Sequence, residues 1–281
     1  MYFNGIMLIS AALDFATIDF HPNNDLPYIL FLPGYAAAAW YHHKVRTRKP
    51  LQALLHEVEA FTAGEYAAAL MKGDTLPKAQ RTQIIARLSR YTGLATEFIE
   101  RSNLRINDQH FFKELLRQRG QTVGRLDSRF VGRDRLGVTE QPEYDPLLTS
   151  VAGPYTAALY DYIRSELNFQ ADRAYEIMTD FVLPWSYSEF EGQFVYVGET
   201  LRAAMTRNPY LRVFVASGLF DLGTPYSATD YTINHMGLHE SLRKNISMGY
   251  YEAGHMMYIH LPSLAELKRD LAKFIRDSVP Q

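Results

Sequence analysis

Strand-like apolar runs occur in this chain at 3–10, 211–219 and 246–252, and the long span between the first two reads as helix and loop. The first run carries Phe3, Ile6, Met7, Leu8 and Ile9 with little alternation, which suits a strand covered on both faces of a parallel sheet. From Asn24 the pattern turns helical, with Asp25 placed to cap the helix and Pro27 tolerated in its first turn. A stripe of Leu51, Leu54, Leu55, Val58 and Phe61 predicts a helix over 51–71 that stops at Gly73 and Asp74. Ile84, Ile85 and Leu88 predict another over 80–91, stopped by Gly93, and two short amphipathic pieces follow at 95–101 and 108–118. Residues 120–146 mix glycine, proline and both signs of charge and read as irregular loop.

Helical spacing returns at 155–169 and 198–207 around an aromatic patch of Trp185, Tyr187, Phe190, Phe194 and Tyr196, and a last helix at 263–276 opens on Pro262. A strand, a long helical excursion, then strand, helix, strand, helix is the order of an α/β core interrupted by a helical cap. The chain therefore divides into a first core strand and its connection at 1–22, a mainly helical cap insertion at 23–205, and a C-terminal α/β core at 206–281.

With 47% hydrophobic and 21% charged residues the composition is that of a folded globular protein. A net charge of −2 carries no electrostatic footprint for nucleic acid, and the basic run at 42–49 reads as a solvated helix end. The absence of cysteine excludes disulfides and thiolate metal sites and leaves the compartment open. The apolar stretch at 28–40 is interrupted by Pro33 and Gly34 and ends in histidine and lysine, so it is not a membrane span. The N-terminal segment has no basic start, and Asp14 interrupts it before any cleavage site, so it reads as a core strand rather than a signal peptide. A chain that opens so close to a buried strand is expected to be the later part of a longer protein.

Chemistry concentrates at the ends of the last two strands. Asp221 closes one apolar run and His255 closes the next, and in open parallel sheets functional groups gather beyond the carboxyl ends of the strands. Asp before His, with a helix-length segment between, is the order in which an α/β-hydrolase delivers two members of its triad. In that arrangement Asp221 accepts Nδ1–H of His255 and leaves Nε2 to take a proton from a serine hydroxyl; losing the orienting carboxylate costs such a site about 10⁴ in turnover. The plainer alternative is that Asp221 caps the following helix and His255 is a satisfied loop histidine. No serine is flanked by glycines on the Gly-x-Ser-x-Gly pattern, so the nucleophile is missing. Ser10 ends a strand, but Ile9 and Ala11 flank it, which favours strand-end packing.

Gly254, His255 and Met256, followed by Met257 and Tyr258, resemble the Gly-His-Met signature of the serine carboxypeptidases, and Ser217 to Pro225 resembles the segment that holds that family's aspartate. The stretches 24–33 with Trp40 after them, and 122–130, are similar to the bacterial branch. The resemblance implies an α/β-hydrolase-type partial parallel sheet and hydrolysis of C-terminal residues from a peptide substrate without a cofactor. It also implies roles for Asp221 and His255 in catalysis and for Met256 beside the pocket for the last residue. It covers only the family's later part: the elbow serine, the oxyanion loop and the acidic residue that binds the terminal carboxylate lie upstream. This chain alone is therefore expected to be inert as a protease. A non-catalytic peptide-binding or scaffold protein of the same fold is the alternative. A sheet lacking half its strands is expected to dimerise, aggregate or take strands from a partner.

Competing sites are weaker. His235 and His239 have the spacing that places two imidazoles on one helix face, but no third metal ligand is identifiable. His42 and His43 point to different faces, and His56 with Glu57 lacks the second histidine of a zinc protease motif. The glycines from 120 to 137 follow no strand of the kind a phosphate loop requires. Arg125, Arg129, Arg133 and Arg135 have the chemistry to recognise a carboxylate bidentately, with Asp127, Asp134 and Glu140 available as internal partners.

Overall fold

The computed structural model describes residues 3–172, 175–177, 179 and 182–279, so Met1 and Tyr2, part of the expected approach to the first strand, lie outside the described residues. Strand β1 (Gly5–Ile9) leads through a turn capped by Asp14, whose side chain accepts from the Ala16 amide, to helix α1 (Leu26–Tyr41). The helical excursion continues with α2 (Leu51–Phe61), a π-helical turn over Thr62–Tyr66, α3 (Ala67–Lys72), α4 (Lys78–Thr92), α5 (Thr96–Arg101) and α6 (Asp108–Glu114). Two short strands, β2 (Thr122–Val123) and β3 (Val131–Gly132), form a hairpin, followed by α7 (Pro146–Ser165) and α8 (Gly198–Arg207). The chain closes with β4 (Arg212–Gly218), α9 (Tyr226–His235), α10 (Glu240–Arg243), β5 (Ile246–Tyr251) and α11 (Leu261–Ser278).

The main sheet is parallel, in the order β1-β4-β5, with Ile6 opposite Val213 and Val213 opposite Ile246. β4 is the central strand because it is the most continuously apolar: every residue from Val213 to Gly218 is buried. Ile6, Leu8, Val213, Val215, Ile246 and Met248 face one way, against Leu201 and Met205 of α8 and Ile233 of α9. Phe214, Ala216 and Tyr251 face the other way, against Leu267, Leu271 and Phe274 of α11. The protein is thus a mixed α/β fold with helices on both faces of a small parallel sheet.

Several local expectations change in three dimensions. β1 is not covered on both faces: Met7 and Ile9 share the face that α11 covers over β4 and β5, and at the sheet edge they stay exposed. Among the described residues β1 pairs with β4 and with no strand on its other side. Asp25 makes no cap bond at α1; its carboxylate takes a bidentate pair from Arg105 at 2.6 and 2.7 Å, and Asn24 accepts from the Leu26 amide. The basic run is not wholly solvated, since His42 is buried with Nε2 2.7 Å from the Ser128 carbonyl. α7 begins nine residues earlier than its spacing predicts because Asp145 caps it through the Leu147 and Leu148 amides. In the aromatic patch Trp185, Tyr187 and Phe194 are exposed.

The helical segment and the C-terminal sheet segment meet at a seam of carboxylates and phenols. Tyr226 donates to Glu59 of α2 at 2.7 Å, and Tyr250 of β5 donates to Asp230 of α9 at 2.8 Å. Burial pushes the Asp230 carboxyl up to about 6, with the Glu59 charge adding to the rise and the Tyr250 hydrogen bond opposing it. A carboxyl whose folded value exceeds its unfolded one contributes stability that is complete below about 3.8 and is lost as pH rises through about 6. Asp230→Asn is therefore expected to match the parent near pH 4 and to exceed it by on the order of 2 kcal/mol near pH 8. Urea unfolding at the two pH values measures this, and a variant weaker than the parent at pH 8 contradicts it.

Candidate active site

β4 and β5 do not part at their carboxyl ends. The Leu219 amide donates to the Tyr251 carbonyl at 2.9 Å and the Phe220 amide to the Ala253 carbonyl at 3.0 Å, so the two tails run on together past the sheet. The tails come this close because Gly218 lacks a side chain, and the segment at 126–127 packs on them because Gly254 lacks one. A Cβ on Gly218 would lie 2.5 Å from the Ala253 carbonyl oxygen and closer still to that of Gly254, and a Cβ on Gly254 would lie 2.5 Å from the Leu126 carbonyl oxygen.

The paired tails deliver Asp221 and His255 to each other. His255 Nδ1 is 2.9 Å from Asp221 Oδ2. The other carboxylate oxygen accepts from the Gly223 amide at 2.7 Å and the Thr224 amide at 3.0 Å, and the Thr224 hydroxyl lies 2.7 Å from Oδ2 and 3.2 Å from Nδ1. The Asp221 side chain is fully buried, whereas that of His255 is 32% exposed. A carboxylate can only accept, so in the neutral ring the proton is on Nδ1 and Nε2 carries the free lone pair. Nε2 has no hydrogen-bond partner among the described residues. Asp221 does not cap α9 as the plainer alternative has it: its bonds to the Gly223 and Thr224 amides close a turn before α9 begins, and its second oxygen serves the imidazole.

The segment between β2 and β3, expected as irregular loop, clasps both tails. The Leu222 amide donates to the Arg125 carbonyl at 2.9 Å, the His255 amide to the Leu126 carbonyl at 2.7 Å, and the Ser128 amide to the Phe220 carbonyl at 2.9 Å. Asp127 accepts from the Gly254 amide at 3.0 Å and from Arg129 through both oxygens at 2.9 and 2.7 Å. Arg129 reaches on to the Glu252 carbonyl at 2.8 Å and lies over the Phe220 ring. Asp127 is the positioning residue that sequence reasoning left as one member of a charged run; its only linear signal is the spacing to Arg129.

Met256 follows His255 at the edge of the site and is partly exposed. Ser10 ends β1 at a φ of +50°, and its hydroxyl donates to the His255 backbone carbonyl at 2.7 Å rather than to the ring. The two other carboxylates offered as internal partners pair elsewhere: Asp134 with Lys113, and Glu140 with His110 at 3.7 Å. His235 and His239 do not share a helix face, because α9 ends at His235, Gly237 takes a φ of +66°, and His239 starts the next turn with Nδ1 against Ser241. No group of three or more metal-ligating side chains occurs among the described residues.

This geometry defines an α/β protein with a strand-end carboxylate–imidazole pair. No protein-family model, curated protein or solved structure matches the chain.

Proposed function

We propose that this chain carries the acid–base half of a serine carboxypeptidase-like hydrolase, with an α/β-hydrolase-type sheet beneath a helical cap. The observation that supports it is the 2.9 Å contact between buried Asp221 and partly exposed His255 at the ends of adjacent parallel strands. In the proposed reaction His255 Nε2 takes the proton of a serine hydroxyl as that oxygen attacks a peptide carbonyl, then returns it to the leaving amine; water repeats the cycle on the acyl intermediate. Asp221 holds the ring in the required tautomer and stabilises the imidazolium. Met256 borders the pocket for the last residue of the peptide.

The serine is supplied from outside the sequence described here, and β1 presents an unpaired edge at which a further parallel strand, in the same polypeptide or a partner, has backbone groups to bond. An active-site-directed fluorophosphonate is expected to leave this chain unlabelled. Reading the coding sequence upstream of Met1 then separates the two functional outcomes. An in-frame Gly-x-Ser-x-Gly segment that restores hydrolysis of a blocked dipeptide, with a loss of about 10⁴ in kcat for Asp221→Asn, supports the enzyme. Absence of such a segment, with peptide binding retained, favours the non-catalytic peptide-binding protein. Labelling of the isolated chain contradicts both.

A further inference from the structure

The clasp brings a second charged group beside the Asp221 turn. The Arg125 carbonyl is bonded to the Leu222 amide, one residue after Asp221, and the next carbonyl in the chain is bonded to the His255 amide. The Arg125 side chain turns toward the Asp221 turn: one guanidinium nitrogen lies 3.1 Å from the point where a Cβ on Gly223 would stand. Arg129, three residues after Leu126 in the same loop, has its fork filled by Asp127 and Glu252. Arg125 is exposed, and its guanidinium has no hydrogen-bond or ion-pair partner among the described residues.

The carboxylates that the fold brings around Arg125 are already engaged. Asp221 serves His255 and its own turn. Asp145 accepts from the backbone amides of Arg125 and Leu126 at 2.8 and 3.0 Å, and so fixes the loop and not the guanidinium. Asp108, whose field reaches Arg125, spends its oxygens on the Gln109 amide and side chain. A rigid loop thus holds an unfilled planar fork of N–H donors beside the strand ends that carry the imidazole, and that fork matches a carboxylate in two parallel bonds.

We propose that Arg125 binds the terminal carboxylate of a peptide at this site, so that the ligand class is a peptide with a free C-terminus. The assignment rests on the peptide-hydrolase reading above. Arg125 acts on binding and orientation, not on proton transfer. Gly223 keeps the space between the fork and Asp221 open.

The test follows the His255 ring by NMR in the isolated chain during titration with N-acetyl-Phe-Leu and, separately, with its C-terminal amide. The free acid is expected to bind about tenfold to a hundredfold more tightly than the amide, and the preference to shrink with added salt. Arg125→Gln is expected to abolish the preference and leave amide binding unchanged, while Arg125→Lys retains part of it because an ammonium keeps the charge and loses the fork. The backbone bonds of residue 125 survive both substitutions, and an unchanged urea midpoint verifies the fold. If acid and amide bind equally in the parent, Arg125 is not the anchor and the peptide reading stands. If neither ligand perturbs His255, both fail.

Discussion

Gly218→Ala is expected to destabilise the fold by about 4 kcal/mol or more, a value reached only by a few named mechanisms. The added methyl meets two backbone carbonyl oxygens, those of Ala253 and Gly254, and neither has a rotamer into which it can retreat. Relief requires the tails after β4 and β5 to separate, which breaks the bonds from Leu219 to Tyr251 and from Phe220 to Ala253. The contact between Asp221 and His255 rests on those bonds. In any soluble fraction of the variant, the His255 Nδ1–H signal shifted downfield by the carboxylate is expected to vanish. Urea unfolding and proton NMR on one sample read both effects, and a stable variant that keeps the signal would mean that the strand tails do not position the site.

Asp127→Ala is expected to cost about 3–5 kcal/mol, the range for breaking a buried ion pair from one side. The Asp127 and Arg129 side chains are 2% and 13% exposed, and removing the carboxylate strands a guanidinium and the Gly254 amide together. The exposed pair of Lys273 and Asp277 on α11 provides the contrast, since breaking it is expected to cost no more than about 0.5 kcal/mol. The double variant Asp127→Ala/Arg129→Ala is expected to recover part of the loss, because no uncompensated buried charge remains. Equilibrium unfolding of the two single variants and the double closes the cycle. A cost below about 1 kcal/mol for Asp127→Ala would remove the clasp from the account of how Asp221 and His255 are held.

Much of the helical excursion was legible because its apolar residues recur at a period that helix geometry imposes. The stripe at Leu51, Leu54, Leu55, Val58 and Phe61 is buried as a stripe, and Gly93 ends α4 in the left-handed conformation. Helix starts were less legible. Asp25 is a good cap by type, yet a bidentate arginine 80 residues away competes for the same carboxylate and holds it. The environment of β1 was misjudged because hydrophobicity reports what a strand can bury, whereas its coverage depends on which strand occupies the edge and how far α11 reaches. The stretch at 125–129 looked irregular since much of its order comes from hydrogen bonds to chain more than 90 residues further on, which leave no periodic trace.

What the sequence determined by itself was the placement of Asp221 and His255, each closing an apolar run, along with the lack of a glycine-flanked serine. Both are local facts about residue order, and strand periodicity is enough to read them. Only the tertiary structure decided that the carboxylate is buried, that the imidazole stays partly exposed, and that a loop from the middle of the chain pins both turns while leaving Arg125 without a partner among the described residues. Those properties depend on which backbone amides and carbonyls meet across the strand ends. That pairing is set by the packing of distant segments, and two glycines permit it at the point of closest approach.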